Sequence, residues 1–304
     1  MLNYIRMDLF KIFRSRAFII CTLCFMLLNY ATIVIIKNRL ENKAYAQSEE
    51  IIYDDENIGE IEDVDNMGEM EDDEQGVAVM TGVSVQTSAA VAHDGNLLYC
   101  VETLYNGGIL FLFLTLIIII VVCDDFATGF IKNTITIPKY RWYVNISKLV
   151  GAFLVFLFEN IVGILMFAFA IGFTDFSENA TIGGMKDIVK MIRYLSVQAV
   201  FALSIMAIII WIADVTNSKV VSIIISVLVV FGVFEGLFLA IAAGPLKVDS
   251  DSVLKLMKWM PMNASYSVMV SDPAGMMLKS AGSGLIWFIV FMILSNIVIS
   301  KKDI

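Results

Sequence analysis

The sequence predicts an all-α polytopic membrane protein: six transmembrane helices, an N-terminal interfacial amphipathic helix and a cytoplasmic coupling helix. Three observations predict the helical membrane architecture. First, 59% of the 304 residues are hydrophobic, more than the roughly half that soluble domains carry. Second, the apolar residues gather into runs of about twenty, the length at which a helix crosses hydrocarbon with its backbone groups satisfied internally. Third, the charge is segregated. Fifteen of the 30 acidic residues lie between Glu41 and Glu74, beside one Lys, and the rest of the chain carries 20 basic and 15 acidic side chains. The formal net charge of −9 therefore belongs to one loop.

Residues 1–16 open the chain. Leu2, Ile5, Leu9 and Ile12 or Phe13 share one helical face, and Asn3, Arg6, Lys11 and Arg14 gather towards the other. This is the pattern of a helix lying in the interface, basic side towards lipid headgroups. The first span covers 17–36. "AYA" at 44–46 resembles a signal cleavage site, but the apolar run ahead of it is too long for a signal peptide, so the span is expected to remain.

Residues 37–103 form an acidic extracytoplasmic loop. It holds two near-copies of a nine-residue unit, "DDENIGEIE" (54–62) and "DVDNMGEME" (63–71). Asp54, Glu56, Glu60, Asp63, Asp65, Glu69 and Glu71 are candidate contacts for a cation or a cationic substrate, because an acidic mouth concentrates cations. A calcium loop fits poorly. An EF-hand needs a ligand at its fifth position, where the two copies place Ile58 and Met67. The other reading is a solvated loop with no fixed partner. No metal site is expected.

The remaining spans are 104–123, 149–173, 195–213, 220–243 and 281–300. An outer loop, 174–194, joins the third and fourth. Residues 245–280 are apolar but broken at Pro261, and are expected as re-entrant or interfacial helices on the outer face. An even count returns both ends to one side. Eleven basic residues fall in the inner segments and ten outside, but the inner segments are less than half as long, and basic density marks the cytoplasm. Both termini are therefore expected to be cytoplasmic.

Acids inside a membrane are costly and usually face the protein interior. Glu159 and Asn160 lie mid-way along the third span and Glu235 in the outer half of the fifth, so these three are candidates for a substrate path. They can bond neighbouring helices, line a route for cationic cargo, or relay protons. Asp214 and Asn217, at the inner end of the fourth span, read as interfacial.

Other chemistry is thin. Cys21, Cys24 and Cys123 sit in apolar runs and imply no disulfide framework. His93 is the only histidine, which removes H-E-x-x-H metalloproteases and any Ser-His dyad within the membrane. No G-x-x-x-x-G-K-[ST] run occurs, so no P-loop nucleotide site is expected in this chain. No catalytic residue and no nucleic-acid partner is assigned.

Residues 124–148, "DDFATGFIKNTITIPKYRWYVNISK", are the most specific stretch. Asp124 and Asp125 open it, where acids can cap a helix N-terminus. Gly129 allows close approach, Pro138 breaks the run, and the basic-aromatic "KYRWY" follows. The order of acidic pair, "GFIKNTIT" (129–136) and "KYRWYVNISK" (139–148) resembles the membrane subunit of type-2 ABC (ATP-binding cassette) exporters. That family has a basic amphipathic N-terminus, six spans, and an acidic, "G-T-[IL]-K-N", "S-R..Y..SK" pattern here. Phe130 replaces the usual small hydroxyl residue, and Pro138-Lys139 stands where Ser or Gly is common.

The resemblance implies a permease subunit of an ATP-driven exporter in the bacterial cell membrane. It implies that 124–148 is the coupling segment seated in a separate ATPase, with Asp124, Asp125, Gly129, Lys132, Asn133 and Arg141 as its residues. ATP and Mg would then bind the ATPase dimer, and a second permease subunit would complete the complex. Permeases of this size include export and immunity systems for cationic antimicrobial peptides, so a peptide or amphipathic substrate is the expected cargo. Two rivals stand beside it: an ion-coupled secondary transporter using Glu159 and Glu235, and a non-transporting sensor with an acidic outer loop.

Overall fold

The computed structural model describes residues 2–56, 87–106, 108–127, 141–173, 176, 183–243, 255–256 and 258–301. All regular structure among them is helical. Helix α1 is Leu2–Arg14 and α2 is Arg16–Glu56. Ser15 makes the joint. Its Oγ donates to Ile12 O at 2.9 Å and accepts from the Phe18 N–H at 3.1 Å, which caps the start of α2. α1 buries Asp8 and Ile12 and exposes Phe10 and Phe13. Its inward face is thus mixed in polarity, and it packs chiefly on the helix Arg141–Phe173.

The apolar part of α2, Arg16–Tyr45, is long enough to cross a membrane. Phe18, Phe25, Ile33, Ile36 and Leu40 recur at helical spacing on its buried face. Asn29 and Thr32 share that face and bond the carbonyls of Phe25 and Leu28 one turn back, which satisfies them inside apolar surroundings. The helix continues well past 36 into the expected loop.

That loop has further structure. α3 is Ser88–Ala92 and α4 is Leu97–Asn106. Between them Gly95 takes φ +77°, and a Cβ there would lie 2.9 Å from the Phe176 ring. Leu97, Leu98, Cys100, Val101, Glu102, Thr103, Leu104 and Tyr105 are all buried. α5, Ile109–Ala127, follows at a 51° bend across Asn106–Gly108, with Gly108 at φ +66°. α4 and α5 together can make one broken span.

Three long helices complete the core: α6 (Arg141–Phe173), α7 (Met185–Thr216) and, at the C-terminal end, α11 (Ala274–Lys301). α7 is the central one. In its apolar window 67% is buried, against 28% for α11, whose outer faces carry Leu285, Ile286, Ile289 and Ile293. α11 packs mainly on α7. Asn217 ends α7 in the left-handed region, φ 52°, a conformation asparagine tolerates.

The expected fifth span, 220–243, is two helices, α8 (Lys219–Val230) and α9 (Val233–Ala243). Phe231 and Gly232, the latter at φ +67°, break it. Each half is about 17 Å long at the α-helical rise, short of a bilayer core. α10, Pro261–Ser267, starts on Pro261 at its first turn and is buried through Ser265. Four helices, α2, α6, α7 and α11, are each long and apolar enough to cross a membrane, and the α4–α5 pair makes up to five.

Candidate functional site

Polar bonds between helices gather at the two ends of the bundle. At one end α5 finishes, α6 begins, α7 finishes, α8 begins and α11 finishes. Asn145, Asp214 and Ser295 are fully buried there. Asn145 Nδ2 donates to Ser295 Oγ at 2.6 Å and to Asp214 Oδ2 at 3.2 Å, and Ser295 Oγ donates to the same aspartate oxygen. Ser147 Oγ donates to Asp8 Oδ2 of α1. Ser222 of α8 faces Cys123 Sγ of α5 at 3.7 Å and shares a hydrogen bond with Thr216 of α7. Lys219 Nζ reaches Asp124 Oδ1 at 2.9 Å in an exposed ion pair.

Asp124 and Asp125 sit inside the last turn of α5, because the helix propagates through them to Ala127. The helix dipole disfavours acids there, and the Lys219 ammonium offsets that for Asp124. Asp214, near the end of α7 where the interfacial reading put it, is drawn inside against α6 and α11, because α7 runs on to Thr216.

The opposite end holds a second set of bonds. Gln198 of α7 and Ser265 of α10 bond twice: Gln198 Nε2 donates to Ser265 O at 3.0 Å, and Ser265 Oγ donates to Gln198 Oε1 at 2.7 Å. Arg193 donates to Asp272 O at 3.0 Å. Glu102 of α4 accepts from Asn106 Nδ2 at 3.2 Å and from the Val270 N–H at 3.5 Å. Lys43 pairs with Asp94 at 2.7 Å and Arg39 bonds Thr87 at 2.8 Å, which tie α2 to α3.

The intramembrane candidates separate. Asn160 bonds across helices, accepting from Tyr105 Oη of α4 and donating to Phe156 O at 2.8 Å. Glu159 is fully buried, and neither carboxyl oxygen has a hydrogen-bond partner among the described residues. The helix-bonding role thus falls to Asn160 alone of this pair. Cys21 of α2 lies on the Glu159 side. Glu235 lies in the first turn of α9, hydrogen-bonds the backbone of Asn263 and lies within electrostatic reach of the Tyr266 hydroxyl. No hydrogen bond among the described residues joins it to Glu159. No group of three or more metal-ligating side chains occurs among the described residues.

A family model described as "ABC-2 family transporter protein" matches residues 2–304. The chain belongs to that family. No curated protein and no solved structure matches it. This ABC-2 protein is the membrane component of an ABC transporter, and the family's membrane components work with an ABC ATPase.

Of the residues assigned to coupling in this ABC-2 chain, Asp124 and Asp125 end α5 and Arg141 begins α6. Gly129, Lys132 and Asn133 lie outside the described residues. Of the acidic repeat, Asp54 and Glu56 fall in the last turn of α2, and Glu60, Asp63, Asp65, Glu69 and Glu71 lie outside them. Sequence reading missed Glu102, Asn145 and Ser295, and read Asp214 as interfacial only. Each is a polar residue within an apolar helix, a signal that marks a function or a bond. Asn145, Asp214 and Ser295 are 69 to 150 residues apart in the chain, and nothing in local spacing pairs them.

Proposed function

We propose that this ABC-2 protein is the permease of an ATP-driven exporter in a bacterial cell membrane, with both termini cytoplasmic and a second permease copy or homologue completing the pore. ATP hydrolysis takes place on the partner ATPase, with its Mg. The segment 124–148 receives the ATPase movement, and its residues Asp124, Asp125, Gly129, Lys132, Asn133 and Arg141 form the contact. The observation that carries this reading is the convergence of α1, α5, α6, α7, α8 and α11 in side-chain bonds at the end where α5 stops and α6 starts. A push applied between those two helices meets a bonded framework, and not loosely packed lipid-facing surface. The cargo is a peptide or amphipathic cation, captured by the acidic repeat.

Co-purification tests this. The chain isolated from its native membrane carries a P-loop ATPase, and Gly129→Trp or Lys132→Glu abolishes stimulated hydrolysis without loss of fold. Normal coupling in both variants would remove the assignment of those residues. Glu159 favours a second reading, ion coupling, because its carboxyl group is buried without a hydrogen-bond partner among the described residues. Transport driven by an ion gradient with no ATPase present would establish that reading in place of the first.

A further inference from the structure

Asn145 sits four residues, about one turn, inside α6. Through it α6 bonds α7 and α11, and through Ser147 it bonds α1. Asn145, Asp214 and Ser295 are wholly buried. Stability alone gives little reason for such a cluster, since three apolar side chains would fill the space without desolvating an amide and a carboxyl group. Direction is what the polar cluster adds. Its bonds hold at one rotation of the three helices and are lost at another.

We propose that Asn145, Asp214 and Ser295 are positioning residues that turn displacement of the 124–148 segment into joint movement of α6, α7 and α11. This rests on the coupling reading above. The α6 entry moves as a rigid helix, Asn145 one turn into it is bonded to both α7 and α11, and α7 is the centre of the bundle. Movement that reaches Asn145 is handed to α7 through Asp214 Oδ2 and to α11 through the Ser295 hydroxyl, which itself donates to that oxygen. Asp8 and Ser147 carry α1 along on the other side of α6.

The test uses the complex of this chain with its ATPase, in vesicles of phosphatidylethanolamine and phosphatidylglycerol. It measures ATP hydrolysis against that of the isolated ATPase, together with the melting temperature. Asn145→Leu and Ser295→Ala are expected to assemble, with a melting temperature lowered by the bonds they lose, while stimulation falls at least about fivefold. Ser295→Thr keeps the hydroxyl and restores it. Asn145→Leu combined with Asp214→Leu costs less than the sum of the two single effects, because both remove the same Asn145–Asp214 bond. Should Asn145→Leu not assemble, Ser295→Ala, which removes one hydroxyl, decides. Wild-type stimulation in an assembled Ser295→Ala complex overturns the proposal. A wild-type chain that neither binds nor stimulates an ATPase overturns the coupling reading instead, and the proposal with it.

Discussion

Glu159 and Asn160 are neighbours on α6 with opposite energetic roles. Asn160 accepts from the buried Tyr105 hydroxyl. Asn160→Leu leaves that hydroxyl without an acceptor and should cost about 1–3 kcal/mol, seen as a lower melting temperature in detergent. Glu159 has no hydrogen bond to lose among the described residues, so Glu159→Leu removes a desolvated polar group and should leave the melting temperature equal or higher. A marked fall for Glu159→Leu would show a bond that this conformation lacks. The sequence alone marks both residues as polar groups inside a span. Which of them bonds a neighbouring helix depends on Tyr105, 55 residues earlier, and no local pattern carries that information.

At the scale of elements, α6, α7 and α11 are legible because each is a long apolar run with turn-forming or charged residues at its ends. α4 is not, because Glu102 and Thr103 interrupt a stretch of only ten residues. Its signals are the apolar periodicity of Leu97, Val101, Leu104 and Tyr105 and the Asn106-Gly107-Gly108 break. The division of 220–243 into α8 and α9 turns on Gly232, whose positive φ cannot be told from a packed helical glycine by sequence. The joint between α1 and α2 turns likewise on one residue, Ser15. Ser15→Ala removes the cap on the Phe18 N–H and should cost about 1 kcal/mol. Because α1 is otherwise tied to the bundle through Asp8 and Ile12, the expected result is a small fall in melting temperature with earlier proteolysis near residue 15. Unchanged proteolysis would mean that the packing of α1 on α6 alone fixes the joint.

For the whole molecule, the relevant contrast is between a bundle that is near neutral and a repeat that is not. Residues 54–72 carry ten acids and no basic residue. Removing them changes the formal net charge of the chain from −9 to +1, yet none of the inter-helix bonds described at either end of the bundle involves them. Their deletion should therefore leave the melting temperature and ATPase association at wild-type values. Its effect belongs to capture. Acidic surface raises the local concentration of cations and speeds their association, and the gain fades as salt shortens the screening length to about 8 Å at physiological strength and about 3 Å at 1 M. An oligolysine peptide offered to wild-type and deleted chains in vesicles separates the outcomes. Wild type should bind it faster at low salt and lose that advantage at high salt, with the deleted chain slow in both. Equal rates at low salt would leave the repeat without a role in cation capture, while the assignment of the bundle to an ABC transporter would stand.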